Sequence, residues 1–318
     1  MAEDVATWRR RDPHWANVSD KAVLQRMRQR LERYLATIAA ARASLEGVDA
    51  AKPLFVIEPG NWQIDFDGDG DVSVTEQFFF WVPRRGSDVP PLVATTDPVR
   101  LRSSYVSPVI HVDQSDVYWA IAYCHFAEAA LNLLLAYDVV KDGPVLVDAG
   151  RIRNVAYKRL LDGVRYSSKL RASLLRETDD DREWIASPRQ KHTSFPLVMD
   201  AQTFETWGTM LPELERVLQG RALLGGSVPT RGPGGVRTLT WDLCGEGQGL
   251  NVRELFMNPL QRPFDGAELK KRCVRPTAAT PMSGLAGIAS ASIARNAGKT
   301  PEAIAGEWMV LRHLYWVN

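Results

Sequence analysis

Asp65, Asp67, Asp69, Ser73 and Glu76 fall within twelve residues, Asp-Phe-Asp-Gly-Asp-Gly-Asp-Val-Ser-Val-Thr-Glu, numbered 65–76. Each carries a side-chain oxygen, and the chemistry open to such a set is the binding of a hard cation. Ca²⁺ takes about six to eight oxygen ligands at about 2.4 Å, and alternate residues of a tightly turned loop point inward. Asp65, Asp67 and Asp69 would each give one carboxylate oxygen. Asp71 would bind through its backbone carbonyl, Ser73 through its hydroxyl or a water, and Glu76 through both oxygens. Gly70 permits the positive φ that turns the chain, and Val72 has the β-branched apolar character wanted where the loop runs briefly extended. At average composition such a pattern arises by chance in about one chain in a thousand of this length. The plain alternative is an acidic, solvated Asp/Gly turn.

Residues 65–76 resemble the calcium loop of the EF-hand family, matching it at every ligand position. That resemblance implies Ca²⁺ as the cofactor, with Asp65, Asp67, Asp69, Asp71, Ser73 and Glu76 as the metal site. The flanks depart from the family. Pro59-Gly60 lies shortly before Asp65 and Pro83 shortly after Glu76, and both break helices. Asn61–Ile64 is then at most one turn, and Glu76–Val82 about two. No second loop is present to pair with this one, so a structural site is expected rather than a sensor that opens. Phe78, Phe79, Phe80 and Trp81 follow directly. Four aromatics in a row cannot share one face, which predicts a buried segment clamping the loop to the body of the protein.

Other residues could carry chemistry. His125 and Glu128 stand at the i, i+3 spacing by which helical bundles hold transition metals. One pair is insufficient, and a hydrogen-bonded core histidine is the simpler expectation. His111 with Asp113 reads as a surface or capping pair. Thr178–Glu183 is a second acidic cluster without the calcium spacing, suited to capping a helix. The Gly-rich stretch Gly225–Gly235 lacks the Lys-Ser/Thr of a phosphate loop and reads as a hairpin-like or mobile connector. No Gly-x-Ser-x-Gly elbow occurs, so no catalytic residue is assigned. A carboxylate pair of the glycosidase type needs no fixed spacing in sequence. The 10 tryptophans would suit a carbohydrate surface, but core burial accounts for most of them.

The 318 residues carry 39 Lys and Arg against 38 Asp and Glu, a net charge of +1, and 45% are apolar. No basic face is implied, so nucleic acid is not an expected partner, and no apolar run has the length of a membrane span. Cys124, Cys244 and Cys273 are widely spaced, with no Cys-x-x-Cys; they allow at most one disulfide and exclude a zinc framework. Met1-Ala-Glu-Asp leads into no apolar signal region, which reads as cytoplasmic. A lone, weak calcium site favours instead an extracytoplasmic, periplasmic location, with a leader removed, where free Ca²⁺ is high.

The elements that must position these residues are mostly helical. Residues 1–17 read as an arm. Lys21–Leu45 carries apolar residues at Val23, Leu24, Met27, Leu31, Leu35, Ile38 and Ala39, steps of three and four that describe one helical face. Val99–Val112 is β-prone or extended. Asp116–Tyr137, capped by Asp113 or Ser115, is apolar on nearly every face and belongs at the centre. Arg151–Gly163 and Lys169–Glu177 read as short helices, and Asp200–Leu218 as an amphipathic helix in spite of Pro212. Thr238–Leu243 reads as a strand, Val252–Met257 as a short helix or strand, and Pro301–Tyr315 as a closing helix. The expected fold class is mainly α, an irregular helical bundle with minor β structure and one EF-hand-like loop, in a single domain over 1–318 whose calcium segment is 61–82. Trp119–Asp138 and Asp179–Trp184 are similar to segments of bacterial proteins of unassigned role that carry one such loop. The function expected is that of a calcium-binding protein in which Ca²⁺ orders a loop. A hydrolase with calcium as scaffold and a helical protein-interaction module are the alternatives, with protein or small-molecule partners undefined.

Overall fold

The computed structural model describes residues 20–48, 55–65, 68–79, 81–83, 97–140, 143–178, 182, 187–190, 201–225, 227–232, 235–240, 244–245, 247–263 and 265–288. The expected arm and closing helix lie outside them. Within them the chain is mainly helical, with small antiparallel ribbons of two strands each.

Three long helices form the body. Helix α1 spans Asp20–Glu46 and stops at Gly47. Helix α4, Gln114–Leu135, is the expected central helix. Its N-cap is Asp113, whose carboxylate accepts the Ser115 and Asp116 N–H groups, while the Asp116 side chain reaches back to the Asp113 N–H. This reciprocal pairing satisfies N–H groups that a helix start leaves free. Helix α5 spans Tyr157–Leu174, entered through a π-helical stretch Arg151–Ala156. Helix α4 packs on α5 along one side and on α1 along another. The main core lies between α5, helix α6 (Ala201–Leu218) and the short helix α7 (Val252–Met257). Leu161, Val164, Leu170 and Leu174 there meet Phe204, Trp207, Leu211, Leu218 and Phe256.

Two sequence expectations change. Residues 151–174 run as one helix rather than breaking at Gly163, because Gly163 sits against Phe126 of α4 and a Cβ there would lie 2.6 Å from its ring. The glycine is a contact point between helices, not a stop. Within Val99–Val112, Asp97 caps a short helix α3 (Pro98–Ser104) with Pro98 in its first turn, where a missing N–H costs nothing. Strands β3 (Tyr105–Val106) and β4 (Ile110–Val112) follow.

Strand β1 (Phe55–Ile57) pairs antiparallel with β4, Val56 opposite His111, and β2 (Val82–Pro83) pairs with β3. These two ribbons bracket the acidic loop on both sides. Directly after α4 comes the hairpin β5 (Tyr137–Val140) with β6 (Gly143–Leu146). The Gly-rich stretch belongs to the hairpin of β7 (Ser227–Gly232) with β8 (Gly235–Thr240). Strand β9 (Gly249–Leu250) pairs with β10 (Cys273–Val274), helix α8 (Gly266–Lys270) lies just ahead of β10, and a disulfide joins Cys244 to Cys273.

Candidate metal centre

The acidic loop enters from a 3₁₀ turn, Pro59–Asn61, and leaves through a single helical turn, α2, Val74–Gln77. Neither flank is a long helix. Prolines at both ends account for this, as the sequence implies.

Inside the loop, backbone amides converge on one carboxylate. Asp65 Oδ1 accepts the N–H of Gly68 at 2.5 Å and of Asp69 at 3.2 Å, and Oδ2 accepts that of Gly70 at 2.9 Å. Asp69 Oδ1 accepts the Asp71 N–H at 2.8 Å. Gly70 has φ +97° and Gly68 φ +76°, the left-handed conformations glycine adopts without strain. At the exit, Ser73 and Glu76 form a capping box, Ser73 Oγ accepting the Glu76 N–H and Glu76 Oε2 accepting the Ser73 N–H at 2.8 Å. Glu76 is buried, whereas Asp69 and Asp71 face outward. Asp67 lies outside the described residues, so its relation to the other ligands is not part of this geometry. Among the described residues no group of three or more His, Cys, Asp and Glu is gathered as a metal ion would hold them.

The donor set fits a hard cation in its chemistry: carboxylates, a hydroxyl and backbone carbonyls, with no thiolate or imidazole. Asp65 is fixed by amides from the loop itself, and Glu76 is buried at the start of α2. The fit rests on this turn and these donors.

The aromatic clamp forms around Phe78 and Trp81. Phe78 is fully buried with Leu101 of α3 and Tyr105 of β3, and Val74 and Trp81 pack around them. The rings of Phe78 and Trp81 are 4.8 Å apart, and Trp81 Nε1 donates to the Gly60 carbonyl at 2.8 Å. This small core is separate from the main one, so the loop is held by α3 and β3 rather than by the central helix. Ribbon β2–β3 brings Tyr105 beside the chain leaving the loop. Phe79 is half-buried, and Phe80 lies outside the described residues.

His125 and Glu128 do not make a transition-metal pair. Glu128 is buried and engaged by two guanidinium groups: Arg42 Nε of α1 donates to Oε1, and Arg159 Nε of α5 lies 2.9 Å from Oε2. Arg42 also pairs with Glu46 at 2.7 Å. Burial opposes the Arg42 charge, yet its bonds to Glu128 and Glu46 raise its pKa above the ordinary value. His125 is buried, with Nε2 3.5 Å from Glu46 Oε1 and its ring 5.3 Å from that of Tyr166. Among the described residues neither ring nitrogen makes a hydrogen bond. Burial, then the Arg42 charge, lower its pKa. The expectation of a hydrogen-bonded core histidine is thus met in burial and not in bonding. Cys124, beside it, is a buried free thiol whose pKa burial raises.

Sequence reasoning missed a further cluster. Asp113 appeared only as a cap and a partner for His111. Asp116 and Glu177 entered only as helix ends and Gln190 not at all, although Asp116 and Gln190 are buried. The only signal available was the three-residue spacing of Asp113 and Asp116 at a helix start; nothing local links them to Glu177. His111 donates its N–H to the Arg182 carbonyl at 3.2 Å, and Arg182 has φ +35°. Asp179–Asp181 lie outside the described residues. No helix among the described residues is long and apolar enough to cross a membrane. Comparison with models of protein families, with curated proteins and with solved structures returns no match.

Proposed function

We propose that this chain is a calcium-binding protein in which Ca²⁺ held by Asp65, Asp67, Asp69, the Asp71 carbonyl, Ser73 and Glu76 orders residues 61–82 against α3 and β3. The observation that carries this reading is the loop's own geometry. Asp65 receives three amides from the turn at Gly70, and Glu76 closes the turn as a buried first-helix residue. A bound cation would offset the mutual repulsion of five carboxylates within twelve residues. The chain's own groups do the rest. The capping box fixes Ser73 against Glu76, and Phe78 and Trp81 join α2 to the small core. Order in the loop would therefore steady both ribbons that flank it.

A site with short flanks and no partner loop fits a structural role. The Cys244–Cys273 disulfide supports an oxidising, extracytoplasmic compartment, where a weak site would be filled. A ligand that binds only the folded state stabilises it by about 2.7 kcal/mol at a hundredfold excess over Kd.

The test is a calorimetric titration of wild type and Glu76→Gln with Ca²⁺, with Mg²⁺ and La³⁺ for comparison, alongside melting temperatures in Ca²⁺ and in chelator. Glutamine keeps the capping-box geometry and removes the bidentate carboxylate. Saturable binding, a higher melting temperature in Ca²⁺, and loss of both in the variant are expected. Heat and melting curves unmoved by Ca²⁺ in wild type would leave an acidic turn and no functional reading.

A further inference from the structure

Asp113 caps the central helix, and around it stand groups from three separate segments. From α4, Ser115 Oγ donates to Asp113 Oδ1 at 2.6 Å, and the same oxygen accepts the Ser115 N–H at 2.7 Å and the Asp116 N–H at 3.3 Å. Asp116 Oδ2 accepts the Asp113 N–H at 3.1 Å. From the chain just after α5 comes Glu177, whose carboxyl is within hydrogen-bonding reach of Asp113 and Ser115. From the turn at 187–190, Gln190 Nε2 donates to Glu177 Oε2 at 3.2 Å, while Gln190 Oε1 accepts the Ser187 N–H at 2.7 Å. Glu177 is therefore the middle link of a chain from the cap of α4 to the 187–190 turn.

Counting hydrogens along that chain leaves a deficit. The Ser115 hydroxyl has one hydrogen and gives it to Asp113. Glu177 Oε1 is buried and receives no hydrogen bond from any donor among the described residues. Two carboxylates in hydrogen-bonding reach of each other cannot both be ionised without strong repulsion. One added proton on Glu177 supplies the missing donor.

We propose that Glu177 holds a proton directed at the Asp113 carboxylate and forms with it a pH-sensitive latch, closed when the proton is held, that ties the 187–190 turn and the end of α5 to the cap of the central helix. Among the described residues the groups facing it are Asp113, Ser115 and Asp116 at the start of α4 and Gln190 from the turn, all acidic or neutral. Burial first, and the Asp113 charge second, push Glu177 up to about 7; the same two causes push Asp116 up to about 8. For acids whose folded value is raised, the contribution to stability is complete below about pH 4 and is lost as pH rises through the folded value. The latch thus weakens from about pH 4 and opens around and above neutrality. Ionised Glu177 then repels Asp113, and Gln190 loses a fixed acceptor.

The experiment is hydrogen exchange by mass spectrometry on the full chain, following peptides over 175–190 from about pH 4 to about pH 8 and correcting for the intrinsic pH dependence of exchange. Protection in wild type should fall by up to about tenfold per pH unit between the ordinary carboxyl value and about 7, and level off above it. Glu177→Gln, which keeps a neutral hydrogen-bonding group, should hold its protection across the range. Asp113→Asn, which still caps the helix but presents no charge to Glu177, should show a smaller fall than wild type, since burial still raises Glu177. Protection independent of pH in wild type would overturn the latch, and so would an equal fall in wild type and in whichever of the two variants folds.

Discussion

Arg42 is the most deeply buried described residue of α1, and that inverts the usual logic of an amphipathic helix. The apolar stripe is there, yet Leu24, Leu31, Leu35 and Ile38 are only half-buried and Met27 is 55% exposed. What sinks furthest is a guanidinium shared between Glu128 and Glu46. Removing one member of a buried ion pair leaves the other charge without compensation, a cost of about 3–5 kcal/mol. Arg159 still holds the second Glu128 oxygen, so Arg42→Met should fall near the lower end, about 3 kcal/mol, in urea unfolding. Adding Glu128→Gln should recover most of that loss, since Arg159 is partly exposed and retains water as a partner. A double variant no more stable than Arg42→Met would mean that packing of the arginine stem, not charge, holds α1 in place. At this scale the calcium ligands were legible in the sequence because their spacing is local. The Arg42–Glu128 contact was not, because 86 residues separate its partners.

Helix α5 meets α4 at Gly163, under the Phe126 ring. An alanine there would gain about 1 kcal/mol of helix propensity and lose about 1–3 kcal/mol to overpacking in a crossing with no room for a methyl group. Gly163→Ala is expected to destabilise by up to about 2 kcal/mol in thermal or urea unfolding, after both effects are summed. Gly287→Ala, where a Cβ meets nothing within 4 Å, should be neutral or mildly stabilising. Equal effects at both sites would show that the α4–α5 contact yields easily. The same crossing explains why the sequence reads as two short helices. A glycine in mid-helix carries the same local signal whether it breaks the chain or admits a neighbour, and Phe126 alone distinguishes the two. By contrast, α1, α4 and α6 matched their expected spans to within a few residues, since the local pattern of apolar residues, on one face in α1 and α6 and nearly all round in α4, determines them.

For the whole molecule, Cys244–Cys273 is the covalent tie, its cysteines 29 residues apart. Cys273 opens β10, which pairs with β9, and Leu224 and Met282 make bridges in the same neighbourhood. Closing a loop of that length is worth about 3–4 kcal/mol through the unfolded chain. Reduction should lower unfolding stability by about that amount. Cys244→Ser together with Cys273→Ser should match the reduced protein, and a reduced wild type as stable as the oxidised one would contradict the tie. Cys124 should stay unreactive toward alkylating reagents until the protein unfolds, because it is buried and burial disfavours its thiolate. Three cysteines allowed three pairings, and only the approach of the 244–250 and 273–282 segments selects one. By itself, the sequence determined what adjacent residues decide among themselves: the donor set of residues 65–76, the prolines that shorten its flanks, and the apolar faces of the long helices. Tertiary structure alone decided which two helices bring arginines to Glu128, that α3 and β3 rather than α4 hold the acidic loop, and that Asp113 meets Glu177. Local chemistry is written at fixed spacing along the chain, whereas the charge a buried group meets depends on segments far apart in sequence.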